Sequence, residues 1–497
     1  MPDSPSSPGR VRSARRALAP LAALVAFAGV IAINAVPVLP APHSDALSYL
    51  TAALALAEGE GLTTPFPAWD APGPRAPLSH YPPGFPVLIA GGVAAGLTPV
   101  QSAVLWLALG AAGAVGLATG LLIGTVGPAW GAVGALLLCL SAPLVRLHTS
   151  IWSEPVFMAL LGALLWLRLR RPQAWALQGG VAAAGFLVRY LGIALAGVVA
   201  LWALVEPGST RERVRRLLAG LGPTAFVLAV LRWRSVDAEA AVRTFRWYGP
   251  GDALGARLAA LVRDGWTPWG SGAVWTGLAT LATLLLGLLL LRGVRRRGPE
   301  RPLVAATLTL AGALGAVVAL ARVWADPLIP LDGRMLAPVL YTLTLGGTAA
   351  LAGAWPTWRA PLRGALALLA LVWAASSFLA IRTGLISLRA GGAFYTSAFW
   401  SGSAVLEWAR GAEPSLRLFS NEPELLFFQA GRPARRLPSY RAPGSLADLA
   451  EVFAQAPGAV LVLNPVRPGE PAPEALRDAL GLEVLVRDAS GTVLGRR

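Results

Sequence analysis

The side chains of this chain that could do acid–base or anion-binding chemistry are sparse, and they fall in short stretches between long apolar runs. The first stretch, Leu39 to Pro86, reads LPAPHSDALSYLTAALALAEGEGLTTPFPAWDAPGPRAPLSHYPPGFP and holds His43, Asp45, Tyr49, His80 and Tyr81. Tyr49 follows Asp45 by one helical turn, which puts both on one side of a helix. A second stretch, Arg146 to Pro155, carries Arg146, His148 and Glu154; a third, FLVRYLG, carries Arg189 and Tyr190; a fourth, DPLIPLDGRMLAP, carries Arg334. A carboxylate can accept a proton in a reaction once partial burial raises its proton affinity. A guanidinium is a planar, multi-donor group suited to negative charge as it develops. Plainer roles stand beside these. Ser44 or Asp45 can open a helix as its cap. Glu154, just before Pro155, suits the positive end of a helix, and Arg334, at the head of an apolar run, can serve as an interfacial anchor.

Other chemistries lack their usual signatures. There is no P-loop, no GxGxxG after a strand, no HExxH and no GxSxG. His43, His80 and His148 have none of the close spacing of metal-ligand pairs, so metal ligation is left unknown and no cofactor is called for, with a divalent metal left open. The lone Cys139 lies in an apolar run and reads as a small buried hydrophobe, with no disulfide framework within the chain.

The elements that must position these groups are dictated by composition. Of 497 residues 55% are hydrophobic and 14% charged, with a mean hydropathy of +0.59, which is more apolar surface than one or two soluble cores can hide. A net charge of +16 would suggest nucleic acid in a soluble protein. Here the arginines cluster at 10–16, 168–171, 211–216, 292–301 and 359–363, between apolar runs. That is the pattern of cytoplasmic loops held inside by positive charge, and it needs no nucleic acid. The basic RVRSARR followed by a run of roughly 20 apolar residues, Ala17 to Val36, exceeds a signal peptide's hydrophobic region and reads as an uncleaved first span.

Parity then orders the spans. Between the clusters at Arg16 and Arg168 an even number of crossings must lie, yet five apolar segments are available: 17–36, 83–97, 100–124, 128–145 and 150–168. The segment 83–97 has only about 15 residues against the roughly 20 that a span needs, so it reads as a re-entrant or half-depth helix. The run 174–205 is too long for one span and holds Arg189, so it reads as two short helices meeting at an outer-surface Arg189. Further spans are expected near 214–232, 271–291, 302–321, 334–354 and 362–381. The expected fold is a mainly α, polytopic transmembrane helical bundle of about eleven spans plus the half helix. Its N-terminus is cytoplasmic and its outer loops include 39–86, 146–155, 233–270 and 322–334. Trp266 and Trp269 read as an interfacial aromatic pair. The multi-span part covers 1–381. From 382 to 497 strand-length runs (LRLFS, AVLVLN, LEVLV) alternate with helical ones such as SLADLAEVFAQA, giving a small extracytoplasmic α/β domain.

The order of these pieces resembles a known family. SDALSYLTAALALAEGEGL and HYPPGFPVLIAGG after a first span, then SEP at 153–155 and FLVRYLG at 186–192, resemble the GT-C superfamily of membrane glycosyltransferases that use polyprenyl-phosphate-linked sugars. The branch resembled is the one containing protein O-mannosyltransferases and the aminoarabinose transferase. The resemblance covers the first 210 residues or so, and thereafter extends to topology and a soluble tail beginning near SNEPELLFFQAGR. It implies inverting transfer of a sugar from a polyprenyl-phosphate donor to an acceptor hydroxyl at the outer face of a bacterial-type cytoplasmic membrane. It further implies Asp45 as base with Glu154 as a second catalytic acid, and donor phosphate binding by Arg189, Arg146 and Arg334. Sugar or acceptor contacts would come from His43, Tyr49, His80, Tyr81, His148 and Tyr190. The implied partners are the lipid-linked sugar, membrane lipid and an acceptor that is a lipid, a glycan or a protein. One departure matters: the family often shows Asp-Glu at the acidic motif, and here Asp45 is followed by Ala46, which puts metal binding in doubt. A transporter or flippase of lipid-linked sugar, or a non-catalytic envelope-assembly protein, could share the topology. The former should show repeat symmetry, which the sequence lacks.

Overall fold

The computed structural model describes residues 8–36, 38–71, 73–235, 273–324, 332–438, 445–455, 458–466 and 470–496, together with 259, 263 and 329. Trp266 and Trp269 lie outside the described residues. The chain divides into two compact units: Met1–Ala35, Val104–Trp233 and Phe245–Ile386 form one, and Val36–Ala103, Arg234–Thr244 and Ser387–Arg497 the other. The loop 39–86 thus belongs with the tail, a grouping that chain order does not suggest.

In the first unit the apolar runs become helices nearly where their lengths place them. These are α1 (Pro8–Asn34), α4 (Pro99–Val126, which starts in the other unit), α7 (Glu154–Arg170), α10 (Thr210–Ser235), α11 (Ala273–Arg295), α12 (Arg301–Trp324), α13 (Ala337–Ala354) and α14 (Ala360–Gly391). The protein is a polytopic helical membrane protein. Among the described residues six helices are long and apolar enough to cross a bilayer: Ala17–Asn34, Pro99–Val126, Thr210–Trp233, Arg301–Trp324, Ala337–Thr357 and Ala360–Gly391. The other expected spans fall on α11, a single helix of 23 residues, and on helices of 17 residues or fewer. The run 128–145, expected as one span, is α5 (Pro128–Cys139) and α6 (Ala142–Arg146), with a break at Leu140 and Ser141. On α14, Leu368, Leu371 and Phe378 are each more than half exposed, a surface that only hydrocarbon would solvate favourably.

The run 174–205 is two helices, α8 (Trp175–Val188) and α9 (Ile193–Val205), packed against each other. Arg189 sits between them in an extended conformation, followed by a 3-10 turn over Tyr190–Gly192. The chain doubles back so tightly that a Cβ on Gly192 would lie 2.2 Å from the Phe186 nitrogen. Only glycine fits there. Likewise, α4 approaches the start of α7 at Gly110, where a Cβ would lie 2.6 Å from the Pro155 carbonyl carbon.

In the second unit, α2 (Ser44–Ala57) packs on α3 (Gly84–Ala94). At about 1.5 Å per residue α3 reaches roughly 17 Å, well short of a hydrocarbon core. Between them lies a two-residue antiparallel pair, β1 (Thr63–Thr64) and β2 (Ala76–Pro77). The tail is a five-stranded sheet of β3 (Arg417–Ser420), β4 (Arg435–Arg436), β5 (Gly458–Leu463), β6 (Glu483–Asp488) and β7 (Gly491–Gly495), in the order β4-β3-β5-β7-β6. The first three strands are parallel, and β7 runs antiparallel to both β5 and β6. Alternation along β5 sorts the two faces. Ala459, Leu461 and Leu463 pack with α15 (Ala404–Gly411) and α16 (Pro423–Ala430), while Val460 and Val462 pack with α17 (Ser445–Gln455) and α18 (Pro473–Leu480). The first of these cores also takes in Leu47 and Phe66 from the first loop. That loop bridges to the sheet edge: Arg436 N–H donates to the Pro67 carbonyl at 2.8 Å, and Ala68 pairs in parallel with Arg436.

Replacing Gly110 with valine forces α4 away from the backbone of α7 and should lower stability by about 1–3 kcal/mol. Gly197→Ala in α9, where a Cβ meets nothing within 4 Å, should change it by less than about 1 kcal/mol. Thermal unfolding of the two variants in detergent checks the contrast, and equal losses would contradict this packing.

Candidate active site

Asp45 lies in the first turn of α2, but the cap of that helix is His43. The His43 Nδ1 accepts from the backbone N–H groups of Asp45 and Ala46 at 3.2 and 3.4 Å, so this nitrogen is unprotonated and the histidine does the work expected of Ser44 or Asp45. The carboxylate is thereby released from capping. It accepts instead from the Tyr81 hydroxyl at 2.8 Å. Its side chain keeps 14% exposure, enough for a reactant to reach it. Burial pushes the Tyr81 hydroxyl well above its ordinary pKa, with Asp45, Tyr49 and Glu424 adding to the shift, so Tyr81 remains a donor. Tyr49 is 2% exposed and packs edge-on against Tyr81 and Phe85, at 5.1 and 5.3 Å. It supports Tyr81 rather than presenting a surface to substrate. His80 is exposed, with its ring perpendicular to Tyr81 at 4.7 Å.

The tail supplies further groups to the same face of α2. Ser48, one turn beyond Asp45, donates to Glu424 Oε1 at 3.5 Å, and Arg436 pairs with that same oxygen. Tyr395 donates to Glu422 at 2.8 Å, its N–H bonds to the Pro42 carbonyl, and Phe394 packs against His43 at 5.4 Å. Sequence reasoning missed Glu424 and Arg436. The only local hint was the position of Glu424 in the quoted SNEPELLFFQAGR, and its partner Ser48 is 376 residues away.

The other unit holds a second cluster. Glu154, at the N-terminus of α7, is fully buried, and its Oε1 pairs with Arg189 Nη1 at 2.8 Å and Arg334 Nε at 2.6 Å. Arg189 also donates to Ser153 Oγ at 3.1 Å. Arg334 lies over the Trp152 ring, 3.4 Å from its centroid, a cation–π contact. Arg189 lies in the break between two short helices, as expected, and is 9% exposed. The carboxylate of Glu154 makes that burial tolerable. Two guanidiniums against one carboxylate leave a net single positive charge. The Arg189 Nε is buried and without a hydrogen-bond partner among the described residues.

The remaining candidates lie apart from these contacts. Arg146 ends α6 and is exposed. Tyr190 is 37% exposed and packs on Phe186. His148 is buried and lines an apolar cavity of about 210 Å³ with Cys139, Met158 and Tyr341. Burial lowers its pKa to about 4, so it is neutral at physiological pH. Among the described residues no three His, Cys, Asp or Glu side chains are grouped to hold a metal ion.

No family model and no curated protein matches the chain. Solved structures do. ArnT from Cupriavidus metallidurans superposes with a TM-score of 0.59 in the apo state and 0.58 bound to undecaprenyl phosphate, at 16% identity over 95% of this chain and 97% of ArnT. The chain shares its fold with ArnT. The mycobacterial arabinofuranosyltransferase AftD matches at a TM-score of 0.53 and 16% identity, over 100% of this chain and 42% of AftD. The polytopic helical fold expected from the sequence is the one observed.

Glu154→Gln leaves the buried Arg189 and the half-buried Arg334 without their counter-ion and should cost about 3–5 kcal/mol, read as a lower unfolding temperature in detergent. His148 gives a pH dependence of definite sign. Its folded pKa lies below the ordinary 6.5, so the unfolded chain binds more protons between the two values. Its contribution is complete above pH 6.5 and is lost as pH falls toward 4, amounting to roughly 3 kcal/mol. His148→Gln should flatten the stability profile over that window.

Proposed function

We propose that this chain is an inverting glycosyltransferase that moves a sugar from a polyprenyl-phosphate donor to an acceptor hydroxyl at the outer face of a cytoplasmic membrane. In this reading the N-terminus is cytoplasmic and the α/β tail extracytoplasmic, in keeping with the arginine clusters between spans. The observation that carries it is the cap of α2: because His43 takes the backbone donors, Asp45 stands partly open, with its carboxylate oriented by Tyr81.

The reaction assigns each group a task. The acceptor hydroxyl gives its proton to Asp45 as its oxygen bonds to the anomeric carbon. The bond from that carbon to the phosphate oxygen breaks, and its electron pair leaves with the phosphate. The direction of attack, opposite the leaving group, inverts the centre. Tyr81 orients the carboxylate by donating to its Oδ1, and the partly exposed carboxylate takes the proton. The leaving phosphate gains charge, which the net positive Glu154, Arg189 and Arg334 cluster favours, with Arg189 Nε as an available donor. Glu154 acts here as the counter-ion that holds both guanidiniums, since its Oε1 already accepts from each. That a structure of the same fold, ArnT, was solved with undecaprenyl phosphate supports the choice of lipid carrier.

The test is release of polyprenyl phosphate and transfer of label from a panel of polyprenyl-phospho-sugars by the purified protein. Asp45→Asn should reduce turnover by about 10²–10⁴-fold. Full activity of this variant would sink the assignment. Tyr81→Phe removes a hydrogen bond to a charged group and should reduce it by roughly 10–100-fold, consistent with about 1.5–3 kcal/mol. Because the Tyr81 pKa is raised, no loss of activity attributable to its ionisation should appear as pH rises to 10.

A further inference from the structure

The end of the helical unit away from Glu154 holds a cavity of about 560 Å³, walled by the last residues of α4 and α13 and by the 296–300 turn that joins α11 to α12. Helix α13 separates the two places: Arg334 precedes its start, and Gly353, near its other end, lines the cavity. Its 18 residues cover roughly 27 Å at about 1.5 Å each, close to the thickness of a bilayer's hydrocarbon core. Trp130, Trp355 and Trp358 gather at this end, with Trp355 edge-on to Trp130 at 5.4 Å and 6.2 Å from Trp358. Aromatic side chains collect in this way at a membrane surface. Pro356, between two of them, lines the cavity.

The charged groups on the cavity wall are Arg296, Arg297 and Glu300. Arg296 donates from Nη1 to the Gly353 carbonyl at 2.6 Å, which fastens the turn to α13, and Arg297 is exposed. Glu300, just before α12, is 4% exposed. Its carboxylate is tucked between two glycines: a Cβ on Gly298 would lie 2.1 Å from Oε2, and one on Gly353 would lie 2.3 Å from Oε1. Two positions without side chains thus make room for it. Among the described residues this carboxylate forms no hydrogen bond and no ion pair, while its oxygens keep accessible surface. So buried an acid without a donor costs free energy that a ligand can recover.

We propose that this cavity binds the headgroup of an aminophospholipid, with the primary ammonium at Glu300 and the phosphodiester at Arg297. The wall offers both signs of charge, and the lipid class follows from that. A phosphodiester alone answers the arginine and leaves Glu300 without a donor. A primary ammonium brings three N–H donors, so both contacts become charge-assisted hydrogen bonds. A choline headgroup carries the same charges and has no N–H to give. The tryptophans set the cavity at the depth where lipid headgroups lie. The site is independent of the transfer reaction proposed above, whose residues are at the other end of α13 or in the other unit.

The experiment is native mass spectrometry of the full-length protein in detergent. The probes are phosphatidylethanolamine, phosphatidylcholine and phosphatidylglycerol of one chain length, and soluble glycerophosphoethanolamine. Wild type should bind the ethanolamine lipid about tenfold more tightly than the choline lipid, the difference made by a hydrogen bond to a charged group, and more tightly than the glycerol lipid. Glu300→Gln should abolish the preference for ethanolamine over choline while choline-lipid binding persists, which also reports that the variant is folded. Arg297→Ala, a change at an exposed position, should weaken both lipids by about tenfold and keep the preference. Equal wild-type affinity for the ethanolamine and choline lipids, tighter binding of the glycerol lipid, an unchanged preference in Glu300→Gln, or wild-type affinity in Arg297→Ala would each overturn the site. Glycerophosphoethanolamine binding as tightly as the lipid would overturn its assignment to a lipid.

Discussion

A carboxylate with no exposed surface, in a protein whose surroundings are largely hydrocarbon, cannot stand alone. Glu154 is in that position, and much of its unit is arranged around satisfying it. One guanidinium comes from the break between α8 and α9, a break that the close packing at Gly192 makes possible, and the other precedes α13. Three segments that are far apart in the chain are thereby tied at one oxygen atom. Removing any member exposes the others to the full cost of a buried, unpaired charge. Two arginines around one glutamate have a surplus of positive charge that a neutral core could not offer, so the arrangement that satisfies Glu154 also leaves a spot of net positive charge.

The second unit solves a different problem, that of capping a helix without using the acid in its first turn. A carboxylate in the first turn of a helix is ordinarily drawn to the free backbone N–H groups. His43 occupies those donors, and Phe394 holds its ring in place. The tail domain is therefore part of the apparatus around Asp45, through Phe394, Tyr395, Glu424 and Arg436.

Much of this was legible from the residues in order, and the limits of that reading have physical causes. Helix positions followed from runs of apolar residues, and the break at Arg189 from the cost of one charge in a long hydrophobic stretch. Strands β3, β5 and β6 were visible as short β-branched and leucine-rich runs. The two-residue β4 was not, being too short to show a period, nor was β7, whose five residues begin and end with glycine and leave only Thr492 to Leu494 to signal a strand. The division of the run 128–145 also escaped, because Leu140 and Ser141 interrupt the helix without any proline or charge between Cys139 and Ala142 to announce it. Asp45 and Arg189 stood out as charges near apolar runs. Glu424 and Arg436 did not, since a charged pair in a soluble domain looks like ordinary surface, and what sets this one apart is contact with residues hundreds of positions earlier.

The pairing of the first loop with β4 has a temporal side. Arg435 and Ala68 are bonded across 367 residues. At about 5–20 residues per second of synthesis, the loop emerges roughly 20–70 seconds before the strand that completes it. For that interval the Asp45 helix lacks its tail partners, and Phe66 lacks the core it will enter. An order of assembly follows: the membrane helices between them are made first, and the chemistry-bearing face is closed last, by the end of the chain.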